Sequence, residues 1–207
     1  MQDVYIVSAK RTAVTNFMGS FANIAAKDLG AEVIKAVLSD SKIDPSKVSE
    51  IIMGQVLLGA LGQNPARQAA MQAGLPQEIP ASIASVVCGS GLKSIAMGMQ
   101  AISCGDSEIV IAGGQENMSL AKHASYIRSG IKMGDNQLVD MMTIDGLTDA
   151  YSNALMGITA ENIAKQFNIT REMQDEFAYN SQQKAAKAQQ ENKFKDEIIP
   201  VTAKIKR

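Results

Sequence analysis

Histidine occurs once and cysteine twice in the 207 residues, too few to build a Cys/His zinc site with the usual ligand spacing. No metal site is expected. One pair of cysteines is also no disulfide framework for a chain of this size, so reduced thiols and a cytoplasmic location are the expectation. Neither sign of charge prevails: 20 Lys and Arg stand against 21 Asp and Glu, for a net charge of −1. Such a chain has no general attraction for a polyanion, which argues against a nucleic-acid partner, although a few local basic groups suffice for a small phosphorylated ligand. Long apolar runs are missing as well. No stretch approaches the ~20 apolar residues of a membrane-spanning helix, and the chain opens directly on an apolar run with no basic segment ahead of it. A soluble protein without a membrane partner is expected.

What is present is an ordinary apolar share, 46%, in a chain long enough for one large domain or one domain with a sizeable insertion. Over the first two-thirds, short β-branched runs alternate with helical patterns, which is how α/β architecture is written in sequence. Val4-Tyr5-Ile6-Val7 reads as a first strand. Leu29, Val33 and Val37 recur every four residues and predict a helix over 25–39 with that face buried. Asp44-Pro45 and Asn64-Pro65 each join a capping side chain to a proline at the first helical position; the second opens a short helix to residue 73, which Gly74 ends. Ile51-Ile52-Met53, Ile83-Ala84-Ser85-Val86-Val87 and Ile109-Val110-Ile111-Ala112 read as further buried strands. Between the last two, Cys88-Gly89-Ser90-Gly91 predicts a tight turn and 92–103 a helix whose Ile95, Met99 and Ile102 share a face, ended by Cys104-Gly105. Over 113–157 the periodicity fades, and a loop that long implies an inserted subdomain with small elements of its own. Thr159 then caps a short helix, and Thr170 a long one through Met173, Phe177 and Ala185. Ile198-Ile199-Pro200-Val201 reads as a strand interrupted by proline, and Lys204-Ile205-Lys206-Arg207 closes the chain without a natural stop. The division read from this pattern is an α/β core over 1–112, then a loop insertion and helical segments over 113–207.

Cys88 is the residue best placed for chemistry. Between a buried strand and a helix, its sulfur lies near the positive end of the helix dipole, which favours an anion by about 0.3–1 kcal/mol when exposed and up to ~2 when partly buried. That is too little to replace a general base. Gly89 and Gly91 let the backbone come close to a carbonyl substrate, so that amide N–H groups face a developing oxyanion. The bland alternative is an inert core cysteine. A dinucleotide-binding turn is a weaker reading of the same glycines, since G-x-G-x-x-G also needs a small residue at the Ser94 position and a first strand close to the chain start. Cys104, at a helix end, reads as a small buried apolar residue, and His123, followed by Ala124, as a surface or loop histidine.

Several longer segments resemble the biosynthetic thiolases. They are Gly62-Gln63-Asn64-Pro65-Ala66-Arg67-Gln68-Ala69-Ala70, Cys88-Gly89-Ser90-Gly91-Leu92-Lys93, Ala112-Gly113-Gly114-Gln115-Glu116-Asn117-Met118-Ser119, Lys132-Met133-Gly134-Asp135, Asp145-Gly146-Leu147-Thr148-Asp149-Ala150 and Thr159-Ala160-Glu161-Asn162. They stand in family order across nearly the whole chain. The resemblance implies the amino-terminal half of the thiolase fold, a mixed sheet with helices on its faces plus a loop insertion. It implies that Cys88 accepts the acyl group, activated by a histidine, while a second cysteine moves the α-proton of another acetyl-CoA. Acetoacetyl-CoA then forms by Claisen condensation, or is cleaved by thiolysis. The backbone N–H of Cys88 would help hold one oxyanion, and Leu147 and Met156 would line the coenzyme A tunnel.

The same resemblance implies no cofactor besides the coenzyme A thioester substrates, a carboxy-terminal half as partner, and a dimer or tetramer when complete, assembled through the insertion carrying Lys132-Met133-Gly134-Asp135. The family's G-H-P segment and C-x-G-G-G run do not occur in these residues. Two departures stand inside the matched region: Ser85-Val86-Val87 replaces an Asn-Gln-apolar pattern before the nucleophile, and Leu155 replaces the histidine before Met156. These bear on acyl-chain preference and on contacts to the pantetheine arm. An inactive remnant of the fold serving as an assembly module is the alternative. A ketoacyl synthase relative, marked by acyl-carrier-protein dependence, fits the ordered segments less well.

Overall fold

A strand apolar on both faces must be covered on both, and β1 (Glu50–Gly54) is. In the computed structural model, which describes residues 3–203, it is the central strand of a three-stranded parallel sheet, with β2 (Ala81–Ala84) on one side and β3 (Val110–Gly114) on the other. Ile51 pairs with Ala81 and Ile111, and Gly54 with Ala84 and Gly114. Alternation along the strand then sorts the side chains. Ile51 and Met53 join Ile34 and Leu38 of α1 (Ala26–Ser41) and Ala66, Ala69 and Ala70 of α2 (Pro65–Gln72) in the hydrophobic core. Gly54 and Val110 face α3 (Ser90–Cys104) on the opposite side. The path from β1 through α2 to β2 and the path from β2 through α3 to β3 run in opposite directions. Right-handed crossovers of that kind put their helices on opposite faces.

The local signals in the sequence explain where elements begin and stop. The Asn64 side chain accepts from the Arg67 N–H at 3.1 Å and Pro65 takes the first helical position, while Gly74 ends α2 at φ +89°. Asp44 likewise caps the 3₁₀ turn Pro45–Lys47. Thr170 caps α5 (Arg171–Gln190) by accepting from the Met173 N–H at 3.3 Å.

Five expectations are corrected. Val4-Tyr5-Ile6-Val7 joins no ladder, and Tyr5, Ile6 and Val7 are exposed; apolarity shows that a run needs covering, not that a partner edge lies beside it. β2 ends at Ala84; beyond it Val86 forms only an isolated bridge and Val87 lies in a turn. The stripe buried on α1 runs through Gly30, Ile34 and Leu38, with Val33 and Val37 only half-buried. On α3 the small residues Ser90, Ser94 and Gly98 are buried, and Ile95 and Met99 are exposed. α4 (Met156–Gln166) starts before Thr159, after Leu155, with no side-chain cap. Of the proline-interrupted strand, Ile199 N–H donates to the Arg11 C=O at 2.9 Å, and Lys204 to Arg207 lie outside the described residues.

Two compact units divide the chain, Met1–Gly146 with Ile199–Arg207, and Leu147–Ile198. The division read after residue 112 therefore differs from the compact units. The stretch after β3 is tied to the first unit: Asn117 Nδ2 donates to the carbonyls of Phe21 and Ile24 at 2.8 and 2.6 Å. That unit also holds an antiparallel ribbon, β4 (His123–Ala124) with β5 (Val139–Asp140), the small elements expected of the insertion. The second unit contains a hairpin, α4 and α5, and neither helix has a buried residue. Among the described residues no helix is long and apolar enough to cross a membrane.

Candidate active site

In an open parallel sheet, ligands sit beyond the carboxyl ends of the strands, where successive connections leave toward opposite faces. Here that point lies between β1, whose connection goes to α2, and β2, whose connection goes to α3. Cys88 stands in the connection after β2, two residues before α3 begins, and its side chain is exposed. The thiol therefore stands at the open edge of the sheet and near the positive end of a 15-residue helix.

Small residues draw α3 tightly onto the sheet. A Cβ on Gly54 would come within 2.3 Å of the Ser90 carbonyl carbon, and one on Gly98 within 3.0 Å of Val110 Cγ1. Ser94 Oγ, fully buried, lies 2.6 Å from the Gly113 carbonyl oxygen and 2.7 Å from that of Gly91, fastening the first turn of the helix to β3. The turn before the helix is held by Ser90. Its Oγ accepts from the Val86 N–H at 2.9 Å and donates to the Val87 C=O at 2.6 Å. Val87 has φ +52°, a left-handed conformation that costs on the order of 1–3 kcal/mol in a residue other than glycine and is least tolerated by β-branched side chains.

Polar residues that follow β1 and β3 gather at the same edge. Glu116 Oε2 accepts from the N–H groups of Val56 and Leu57 at 2.9 and 3.2 Å, fixing the loop after β1. Gln115 Nε2 donates to Gln55 Oε1 at 2.8 Å, both side chains being buried just beyond β3 and β1. The signal for them was a polar triplet, Gln115-Glu116-Asn117, directly after an apolar strand. A cavity of about 210 Å³ lies alongside, lined by Ala26, Lys27, Leu57, Asn117, Leu120 and Met141 among others, with no residue of the Cys88 turn in its wall.

The other candidates fall elsewhere. Leu147 ends a π-helix (Met142–Leu147) and Met156 begins α4, and a hairpin with Thr148 bridged to Leu155 brings these two positions to one end of a short ladder. Cys104, expected to be buried, is exposed, because the face of α3 turned to the sheet is the one carrying Ser94 and Gly98. His123 is exposed on β4, opposite Asp140.

Fold and turn together define an α/β domain that presents a cysteine at the carboxyl edge of its sheet. A family model described as the thiolase N-terminal domain matches residues 4–207. The chain is 58% identical over 202 residues to an acetyl-CoA acetyltransferase of Cupriavidus necator, covering 97% of this chain and 51% of that protein. Similar matches are the acetyl-CoA acetyltransferases of Paracoccus denitrificans, 55% identical over 99% of this chain and 52% of the relative, and of Shinella zoogloeoides, 51% identical over 96% and 51%. The chain belongs to the thiolase family, and it spans about half the length of the curated relatives it matches.

Proposed function

We propose that the chain is the nucleophile-bearing half of an acetyl-CoA acetyltransferase and that Cys88 is the residue acylated. The observation that carries this reading is the exposed thiol at a strand-to-helix turn, on the open edge of a parallel sheet, in a chain of the thiolase family. Cys88 Sγ, deprotonated by a base, attacks the thioester carbonyl of acetyl-CoA; the tetrahedral oxyanion collapses, the carbon–sulfur bond to coenzyme A breaks, and coenzyme A leaves with the proton the base had taken. A second acetyl-CoA gives up an α-proton, its carbanion attacks the acetyl-Cys88 carbonyl, and acetoacetyl-CoA forms as the Cys88 thiolate departs. Thiolysis is the reverse. By resemblance the bases are a histidine and a cysteine of segments that do not occur in these 207 residues, and the Cys88 N–H is one oxyanion donor. Leu147 and Met156 line the acyl and pantetheine path in this reading. The whole protein is cytoplasmic and a dimer or tetramer.

Two exposed thiols at opposite ends of one helix make the test direct. Cys88 stands just before α3 and Cys104 is its last residue, so the two thiols lie at helix-dipole ends of opposite sign. Peptide mass mapping after exposure to acetyl-CoA or iodoacetamide is expected to find Cys88 modified well ahead of Cys104. Equal labelling, or preference for Cys104, removes the nucleophile assignment and leaves the assembly-module reading, which the exposed apolar residues of α3 favour.

A further inference from the structure

We propose that Ser90 is a positioning residue for Cys88: its buried hydroxyl bridges the Val86 amide and the Val87 carbonyl and so holds Val87 in the left-handed conformation that presents the thiol. The proposal rests on the reading of Cys88 as nucleophile and names what keeps that nucleophile in place. A serine at the start of a helix ordinarily spends its oxygen on a free N–H of the helix's first turn. Ser90 does not. The capping position of α3 is Gly89 and has no side-chain cap, while Ser90 Oγ turns back along the chain, 2.9 Å from the Val86 nitrogen and 2.6 Å from the Val87 oxygen. The Val87 carbonyl also accepts from the Ser90 N–H at 3.1 Å, so one residue closes the turn twice.

Ser90 is itself fixed. It is 3% exposed, and its backbone is pressed against Gly54 of β1, where no Cβ would fit. The hydroxyl thus links a rigid strand to a strained turn. Val87, with φ +52° and a β-branched side chain that is half-exposed, has packing on only part of its surface to hold it there. Without the hydroxyl, Val87 is expected to relax to negative φ, and the peptide unit that carries the Cys88 N–H rotates with it. The thiol and the oxyanion donor would be displaced together.

The test follows iodoacetamide modification of the 207-residue chain by peptide mapping, across neutral to mildly alkaline pH, with Cys104 as the reference thiol on the same helix. Ser90→Ala, folded by circular dichroism, is expected to lower the Cys88:Cys104 rate ratio by about tenfold, and Ser90→Ala with Val87→Gly to recover most of it, because glycine takes φ near +50° without help. Should Ser90→Ala alone not fold, the double variant carries the test and is expected to fold and keep the ratio. A folded Ser90→Ala chain with its ratio within about twofold of the parent overturns the proposal. So does a double variant that has lost the ratio or does not fold, since glycine at 87 removes the strain the hydroxyl is held to bear. A parent chain that labels both cysteines equally defeats the nucleophile reading instead, and is told apart because no substitution is involved.

Discussion

The contact that sets the site is measured in single atoms. Gly54 and Gly113 are both strand glycines at the carboxyl end of the sheet, yet their surroundings differ completely: a Cβ on Gly54 would meet the Ser90 and Gly91 backbone at 2.3–2.5 Å, and one on Gly113 would meet nothing within 4 Å. Backbone cannot move aside as the end of a flexible side chain can. Gly54→Ala is therefore expected to destabilise the chain by about 1–3 kcal/mol through overpacking and to slow Cys88 modification, because α3 is lifted from the strand that holds Ser90. Gly113→Ala should stabilise by roughly 0.5–1 kcal/mol, the usual gain from replacing a strand glycine. Urea unfolding of the two variants checks both signs. Equal effects would mean that the helix does not sit on β1 as closely as the geometry has it.

At the scale of elements, the sequence carried the order of strands and helices well and their buried faces less well. Caps are local chemistry, so Asn64-Pro65, Gly74 and Thr170 were legible from neighbouring residues alone. Burial is a property of two surfaces. Apolar periodicity nominated Ile95 and Met99 on α3, but the sheet beneath is so close that only Ser90, Ser94 and Gly98 fit, and the larger residues are turned out. Val86 and Val87 look like strand by composition, but backbone bonds from Gly89 and Ser90 and the Ser90 hydroxyl, two to four residues away, fold them into the turn before α3. The place of Cys88 between a strand and a helix start was legible, because a cysteine between an apolar strand and glycines needs no tertiary knowledge to stand out.

The hairpin between Leu147 and Met156 is held by a titratable contact of its own. Hydrogen bonds from the Ser152 hydroxyl and then the Ser152 N–H, at 2.6 and 2.7 Å, hold the Asp149 carboxyl below the usual aspartate range. A carboxyl depressed on folding contributes stability that is present above its unfolded pKa and is lost as pH falls through the folded one. The Ser152 amide resonance should thus titrate with a midpoint below the ordinary aspartate value, and the hairpin should loosen only in acid beneath it. Asp149→Asn is expected to abolish that titration. A midpoint at or above the ordinary value would show that the hydrogen bonds do not form in solution.

Across the whole molecule, exposed apolar surface is the feature that asks for a partner. Leu92 and Ile95 on α3 are 75% and 45% exposed, and Tyr5, Ile6 and Val7 form an exposed apolar run. Apolar faces of that extent mark places where other protein belongs, and the curated relatives are about twice as long as this chain. Under the proposed function, chemistry makes the same demand. Condensation needs one base for the nucleophile and another for an α-carbon far too weakly acidic to ionise unaided, and neither Cys104 at the far end of α3 nor His123 on the β4 ribbon stands in a motif suited to that step. The 207-residue chain on its own is therefore expected to show slow self-acylation at Cys88 and no measurable acetoacetyl-CoA synthesis or thiolysis. A matching carboxy-terminal half, added in trans, should restore turnover and raise the unfolding temperature in the same titration, since one surface serves both. Turnover recovered without a gain in stability would separate the covering role from the catalytic one. Full turnover by the chain alone, abolished in a Cys88→Ala control that excludes a contaminating enzyme, would mean that a base within these residues performs both proton transfers.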